Sequence, residues 1–246
     1  MKISIYGTSD IINHHIRSAI ENSFKIFSIC SSNKNSKNIL NLSKKFKIKK
    51  IFYDYKKFVK NSYLNNCCVL IAGRIKDNKK ILNECLKYNL KVIIEKPVLL
   101  KEKEFNKYLK FNENIFVGYN RIYYNCINEL KLLVRKEAPH SIIINCPETN
   151  KKNIILNSCH LISIIYHMFG DLKFLYKIKN KKNITCIFKS KKNIPIIINI
   201  NFELPDNFGI ELNFKNKRAK LSPIETLKIY DKIIKKKYKK NNFYFP

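Results

Sequence analysis

The 246-residue sequence contains no long apolar run. None approaches the roughly 18 residues that a membrane-spanning helix needs. In the opening MKISIYGTSD, the polar Asp10 interrupts the chain before an apolar signal region develops. With 45% hydrophobic residues, the chain still has enough apolar side chain for the cores of two modest domains. We therefore expect an ordered, cytoplasmic protein with no membrane partner.

Paired metal-ligand spacings are also absent. The eight cysteines form no Cys-x-x-Cys motif, and no paired histidines lie near them. Several cysteines fall inside apolar runs such as NNCCVLIAG, where a free thiol behaves as a small hydrophobic side chain in a reducing compartment. We expect the cysteines to be core residues and predict no metal site.

Acidic residues are scarce: 18 stand against 49 basic ones, for a formal net charge of +31. The lysines are spread through nearly every segment and accompany many Asn, Ile, Phe and Tyr residues, all encoded by AT-rich codons. This spread favours compositional drift over a polyanion site, which would concentrate charge on one element. A basic nucleic-acid-associated protein remains a rival interpretation, but no aromatic-basic recognition motif supports it, so we expect no specific nucleic-acid partner. The lysine-rich run from Lys235 to Lys240 is expected to form a solvated terminal segment.

The first half of the chain alternates short apolar runs with segments of helical periodicity. Such alternation with short connections is typical of a parallel sheet covered by helices on both faces. The predicted strands are residues 2–6, 25–30, 51–53, 67–72, 91–94 and 115–117, and the predicted helices are residues 11–20, 36–46, 78–88 and 102–110.

Only one glycine of the dinucleotide-binding frame G-x-G-x-x-G is present. Its three positions are Gly7, Ser9 and Ile12, at the point where the first strand opens into a helix. A helix N-terminus there can bind a pyrophosphate. We take Gly7, Thr8, Ser9, Ile11 and Ile12 as candidate cofactor contacts, with an ordinary tight turn as the alternative.

The second strand ends without the acid that usually accepts the ribose hydroxyls of NAD. Ser31, Ser32 and Asn33 follow it, with Lys34 next. Hydroxyl groups beside a cation favour NADP over NAD, although a solvated turn without any ligand remains open. Ligands of such sheets bind beyond the carboxyl ends of the strands. Ser31, and Ala72 and Gly73 after the fourth strand, are therefore further candidate contacts.

Four ordered segments carry a resemblance to a known family. The first is Glu95-Lys96-Pro97, after the fifth strand; the others are residues 117–121, 157–171 and 221–227. Together they resemble the Gfo/Idh/MocA family of glucose-fructose oxidoreductases and inositol dehydrogenases, and are similar to members from surface-polysaccharide gene clusters. Residues 221–227 resemble a sheet segment of those members.

The resemblance implies a Rossmann-type dinucleotide-binding domain at residues 1–119. It also implies a shortened α+β domain at residues 120–246, for substrate binding and oligomerisation. The second domain is expected to hold an open, largely antiparallel sheet, and β-rich runs at residues 141–146, 174–178, 184–188, 194–202 and 209–214 agree with this. One face of that sheet would pack the helix that follows His160, and the other would make a homo-oligomer.

The implied activity is NAD(P)-dependent oxidation or reduction of a sugar or nucleotide-sugar hydroxyl. Lys96 would be the acid/base beside the cofactor, and His160 would share the proton relay or hold the sugar hydroxyl. Glu95, Lys96 and Asn120 would add cofactor contacts. The family's acids near this histidine are replaced by Leu156 and Ser163. A catalytically silent relative that acts as a binding or assembly module is therefore the alternative.

Overall fold

The computed structural model describes residues 1–98 and 104–231. The chain divides into two compact units, Met1–Tyr119 and a second that begins at Asn120. The first two residues of the helix expected at 102–110, and the lysine run at 235–240, lie outside the described residues.

The first unit alternates strands and helices from its start. Its strands are β1 Lys2–Tyr6, β2 Lys25–Cys30, β3 Lys50–Phe52, β4 Cys67–Ile71, β5 Val92–Ile94 and β6 Ile115–Val117. Its helices are α1 Ile11–Glu21, α2 Lys37–Lys45, α3 Tyr55–Leu64 and α4 Ile75–Lys87, with a short 3₁₀ helix at Asn106–Phe111.

In the described residues of this unit, six strands run parallel in the order β3-β2-β1-β4-β5-β6. The strand order reverses between β1 and β4, and a crevice opens beyond the carboxyl ends of the strands at such a switch point. Two apolar clusters hold the helices against the sheet. One includes Phe58, Leu82 and Ile94, and the other includes Ile5, Ile12 and Ile16. The predicted Rossmann-type architecture is confirmed.

Helix α3 was not predicted from the sequence. Its start is fixed by Asp54, whose carboxylate accepts hydrogen bonds from the N–H groups of Lys56 and Lys57 at 2.8 and 3.1 Å. Phe58, Val59 and Ser62 form its buried face. Asp is a recognised residue at helix starts. The lysines, asparagine and serine around Phe58 and Val59 hide the helical periodicity of the segment, however.

Over residues 120–231, the described part of the second unit, the chain forms two α-helices and one large sheet. Its helices are α5 Asn125–Lys136 and α6 Cys159–Phe169, with a 3₁₀ turn at Asn120–Tyr123 and a π-helical turn at Ile154–Ser158. Its strands are β7 Ser141–Glu148, β8 Leu172–Lys179, β9 Asn183–Ser190, β10 Pro195–Phe202, β11 Gly209–Asn213, β12 Arg218–Leu221 and β13 Leu227–Tyr230.

The sheet order is β13-β12-β11-β7-β10-β9-β8, and every pairing is antiparallel except that of β7 with β10. Alternate residues of its central strands, including Ile142 and Ile196, pack with Leu130 of α5 and Ile164 of α6 in one buried cluster. The expected open, largely antiparallel sheet with the His160 helix on one face is therefore confirmed.

One detail of the resemblance needs correction. Residues 221–227, compared with a sheet segment, instead span the turn between β12, which ends at Leu221, and β13, which begins at Leu227. The Ser222–Pro223 peptide bond in this turn is cis. Pro223 has no N–H to donate to a ladder, so the chain turns there. Among residues 1–98 and 104–231, no helix is both long and apolar enough to cross a bilayer.

Candidate functional site

A cleft of about 670 Å³ lies at the carboxyl edge of the first sheet. Six of the residues chosen from the sequence line it, namely Gly7, Thr8, Ser9, Ser31, Ala72 and Gly73. The other lining residues are Tyr6, Ser32, Asn33, Ser36, Asn38, Arg74 and Asp77. The segments after β1, β2 and β4 meet here, as the switch-point rule requires.

Gly7 forms the floor of the cleft, and no other residue fits its position. Its φ of +132° is a conformation that side chains rarely adopt, and a Cβ there would lie 2.4 Å from the carbonyl oxygen of Ala72. Gly73 is confined in a similar way, since a Cβ would lie 2.5 Å from the ring of Tyr6. The two glycines let the segments after β1 and β4 approach closely.

The N-terminus of α1 borders the cleft through Thr8 and Ser9. Asp10, the residue before the helix, makes no side-chain hydrogen bond to the first N–H groups of the helix. The two isoleucines chosen from the sequence do not line the cleft. Ile12 is fully buried in the core and its N–H donates to the Ser9 carbonyl at 2.9 Å, while Ile11 is exposed.

The β2 exit presents hydroxyl groups to the cleft. The N–H of Asn33 donates to Ser31 Oγ at 3.1 Å, which fixes the buried Ser31 in place. Ser32 contacts the hydroxyl of Tyr6. Burial raises the pKa of Tyr6, with a smaller lowering from Ser32, so this phenol stays protonated near neutral pH. Lys34, the cation expected here, is exposed and does not line the cleft.

Arg74 is one of the cleft residues that the sequence did not predict, and it is the one basic side chain among those that line the cleft. It follows β4, and its Nη2 lies 3.5 Å from Ser32 Oγ, across the carboxyl edge of the sheet. Its Nε pairs with the carboxylate of Asp77 at 3.3 Å. Only the strand order brings Arg74 beside Ser32, 42 positions away in sequence, so no local pattern announces this pair.

Glu95 and Lys96 follow β5 and do not line the cleft. A 2.8 Å hydrogen bond joins Glu95 Oε1 to Nε2 of His15 on α1, and Glu95 Oε2 accepts from the N–H of Lys96 at 3.2 Å. Burial raises the pKa of Glu95, but the bond and charge of His15 and the N–H of Lys96 lower it by more, and the net pKa lies below the ordinary value. Lys96 is half-buried and precedes Pro97 through a cis peptide bond.

His160 lies in the second unit, buried in the first turn of α6. The turn before it is held by Glu148, which ends β7 and is only 3% exposed. Glu148 accepts hydrogen bonds from the N–H and Oγ of Ser158 at 3.1 and 2.5 Å and from Asn157 Nδ2 at 3.2 Å. Sequence reasoning missed this carboxylate, although an acid at the end of the apolar strand SIIINCPE is a recognisable signal.

Two further positions taken from the resemblance, Ser163 and Asn120, lie in the second unit. Ser163, which replaces an acid of the family, donates its hydroxyl to the His160 carbonyl at 2.7 Å. Asn120, a candidate cofactor contact, begins the 3₁₀ turn at the start of the second unit. Among the described residues, no group of three or more His, Cys, Asp or Glu side chains is arranged to hold a metal ion.

Solved structures of dehydrogenases share this fold. UDP-N-acetylglucosamine 3-dehydrogenase from Acidithiobacillus ferrooxidans matches with a TM-score of 0.76 at 11% identity, over 94% of this chain and 80% of that one. Myo-inositol dehydrogenase from Lactobacillus casei, in complex with NAD(H) and myo-inositol, gives 0.73 at 13% identity, over 89% and 73%. A 3-ketoreductase from Actinomadura kijaniata, in complex with TDP-benzene and NADP, gives 0.75 at 10% identity, over 94% and 81%.

Curated protein sequences provide no significant match to the chain. Residues 1–117 match the sequence model of the Gfo/Idh/MocA family, which is described as an oxidoreductase family with an NAD-binding Rossmann fold. These residues comprise nearly the whole of the first unit, including the cleft and the Glu95-Lys96 segment. Residues 1–117 therefore resemble the NAD-binding Rossmann domain of this oxidoreductase family.

Proposed function

We propose that the protein is an NAD(P)-dependent oxidoreductase that acts on a hydroxyl group of a sugar or nucleotide sugar. The observation that carries the proposal is the cleft at the switch point of the first sheet, bordered by the uncapped N-terminus of α1. Its volume of about 670 Å³ is in the range of ligand clefts. The fold neighbours that act on inositol or a nucleotide sugar support the substrate class.

The residues around the cleft suit a dinucleotide. Gly7 keeps the floor free of side-chain atoms, while Thr8 and Ser9 offer polar groups beside the helix N-terminus, where a pyrophosphate binds well. Ser31, at the β2 exit, is placed for the adenosine ribose. Ala72 and Gly73 would form the wall next to β4. A nicotinamide cofactor supplies the group that accepts or donates a hydride.

Lys96 is proposed as the acid/base. Oxidation of an alcohol removes a hydride from carbon and a proton from the hydroxyl, and the neutral amine Nζ can accept that proton. The N–H of Lys96 bonds to Glu95, which His15 holds in turn, so the backbone that carries this side chain is fixed. We propose His160 as a second group that shares the proton or binds a substrate hydroxyl.

The open face of the second sheet is proposed as the homo-oligomer surface. On β8, Tyr176 pairs with Ile187 of β9, and Ile178 pairs with Thr185. Ile187 and Thr185 flank the core-facing residue Cys186 on β9, so these pairs lie on the opposite, open face of the sheet. Tyr176 is 60% exposed and Ile178 54% exposed, on a strand at the edge of the sheet. Exposed apolar side chains in this arrangement are typical of association surfaces.

The experiment for the activity compares the parent with Lys96→Met on a panel of sugars and nucleotide sugars, followed by cofactor absorbance. Turnover should fall about 100-fold or more, the scale of positioned acid/base catalysis, with cofactor affinity nearly unchanged. Lys91→Met is the matched control, because Lys91 is exposed and its Nζ donates to the carbonyl of Glu113 at 2.8 Å.

Two results would count against the assignment. A Lys96→Met variant as active as the parent would remove Lys96 from the mechanism. A parent that binds cofactor but turns over no member of the panel would favour the catalytically silent relative.

A further inference from the structure

The β2 exit is built of hydroxyl groups where NAD-selective folds place a carboxylate. An acid at this position accepts the ribose hydroxyls of NAD and repels the 2′-phosphate of NADP. Here the lining residues are Ser31, Ser32 and Asn33, none of which carries a charge. Nothing at the strand end itself therefore opposes a phosphate.

A guanidinium reaches this position from the neighbouring strand exit. Arg74 Nη2 lies 3.5 Å from Ser32 Oγ, and the Arg74 side chain is 67% exposed in the cleft wall. Arginine presents several N–H donors in a planar fork, which matches a phosphate better than a single ribose hydroxyl.

Asp77 is the one carboxylate among the residues that line this cleft, and its placement decides the sign of the local charge. Its Oδ2 pairs with Arg74 Nε at 3.3 Å, and its side chain is only 18% exposed against 67% for Arg74. The carboxylate therefore binds the Nε edge of the guanidinium and orients it, while Nη2 faces Ser32 Oγ.

Hydroxyl donors complete the arrangement. Ser31 Oγ accepts the N–H of Asn33, which leaves its own hydrogen for a ligand. Ser32 lies between the Tyr6 hydroxyl and Arg74. Ser31, Ser32 and Arg74 thus offer two hydroxyls and one cation at the end of β2.

We propose that the cleft selects NADP over NAD, with Arg74 as the specificity-determining residue that binds the 2′-phosphate together with Ser31 and Ser32. This inference rests on the proposed function, because it assumes that a nicotinamide dinucleotide enters the cleft. The cation expected from the sequence was Lys34, which follows Asn33 in the chain. In the fold, Arg74 lies at the cleft instead.

Calorimetry on the full chain tests the proposal with four probes: NADP, NAD, 2′,5′-ADP and ADP. The parent should bind NADP and 2′,5′-ADP at least about tenfold more tightly than their partners without the 2′-phosphate, the scale of a charge-assisted hydrogen bond. Arg74→Gln should lose about 10- to 100-fold in affinity for the two 2′-phosphate probes and keep its affinity for NAD within about twofold.

Arg17→Gln is the matched control, since Arg17 is an exposed arginine of α1 outside the cleft and its replacement changes the net charge equally. It should leave all four affinities unchanged. Ser32→Asp should reverse the preference toward NAD, because it restores an acid to the strand end. Unchanged NAD affinity in Arg74→Gln shows that this variant is folded.

The outcomes separate this inference from the proposed function. A parent that binds NAD as tightly as NADP, or an Arg74→Gln variant that keeps the NADP preference, overturns the inference and leaves the oxidoreductase assignment standing. A parent that binds neither dinucleotide at millimolar concentration overturns both.

Discussion

Nε2 of His15 lies 2.8 Å from Oε1 of Glu95, so helix α1 is tied directly to the strand exit that carries Lys96. The two residues are 80 positions apart in sequence. Glu95 uses its second oxygen to accept the N–H of Lys96 at 3.2 Å. One carboxylate therefore links the helix beside the cleft to the backbone of the proposed acid/base.

The same carboxylate predicts a pH dependence of stability. Because the pKa of Glu95 is lowered in the folded state from its ordinary 4.5, its stabilising effect is fully present above that value and is lost as pH falls through the folded pKa. Parent and Glu95→Gln should therefore differ in free energy of unfolding at neutral pH and converge in acid, as the pH falls below 4.5 and through the lowered folded pKa. Urea denaturation at a series of pH values measures this. Glu113→Gln, which removes an exposed carboxylate, is the control, and its difference in unfolding free energy from the parent should not change with pH. If the difference between parent and Glu95→Gln also stays constant with pH, the proposed role of the Glu95–His15 pair is contradicted.

Gly7→Ala should destabilise the first unit strongly. It adds both the strain of φ +132° and a Cβ at 2.4 Å from the Ala72 carbonyl oxygen, and we expect a loss of at least about 2 kcal/mol. Gly170→Ala is the matched control. Gly170 has φ +70° and ψ −148°, a backbone region that is essentially restricted to glycine, but no atom lies within 4 Å of the added Cβ, so this variant should lose only the strain energy of about 1–3 kcal/mol, and less than Gly7→Ala loses. Chemical denaturation of both variants gives the comparison. Equal losses would show that the contact with Ala72 relaxes without cost.

Three buried thiols should resist modification in the folded protein. Burial raises the pKa of Cys30 and Cys85 to about 12 and that of Cys146 to about 11, so all three remain protonated at about pH 8. Maleimide labelling followed by peptide mass spectrometry should find them unmodified in native protein and modified, with the other five cysteines, after unfolding. Rapid labelling of Cys85 in the native protein would contradict this, because it would show that the apolar cluster around Phe58 and Leu82 in the first unit opens readily.

Charge placed on the open face of the second sheet should reduce association. Tyr176→Lys with Ile178→Lys puts two cations where apolar side chains are exposed, and the mass in solution measured by light scattering should fall toward that of one 29.2 kDa chain. Tyr63→Lys, at an exposed tyrosine of α3, is the control and should leave the mass unchanged. A parent that is already monomeric would refute the proposed oligomer surface.

Local patterns were enough to predict most of the fold. Apolar runs such as KIFSIC and the spacing of buried side chains on α1 and α4 are visible in the sequence, and their strands and helices formed within a few residues of the predicted ends. Helix α3 escaped because its buried face of Phe58, Val59 and Ser62 is interrupted by lysines and asparagines. Helix α5 was also missed, because its apolar residues are mixed with charged and polar ones and its buried face is fixed by packing on the large sheet. Strands β12 and β13 were missed because each has only four residues of mixed polarity.

The candidate site could be predicted only where function follows a strand end. Gly7, Ser31 and Gly73 were found because each comes directly after a strand. Arg74, His15 and Glu148 were not, since their partners Ser32, Glu95 and Ser158 lie on other elements and only the folded chain brings them together. For the same reason Lys34, chosen for its neighbours in sequence, stands outside the cleft.

The close approach of Gly7 to Ala72 changes how the loss of the glycine motif should be understood. Gly7 is required by the contact between two strand exits, whether or not a ligand is present, whereas Ile12 has become part of the apolar interior. Gly7 is thus required by the architecture, whereas Ser9 and Ile12 hold the other two positions of the motif, and Ile12 stabilises the apolar core. The number of glycines in the motif of this chain therefore shows where the backbone requires glycine. It does not by itself show whether the cleft binds a dinucleotide.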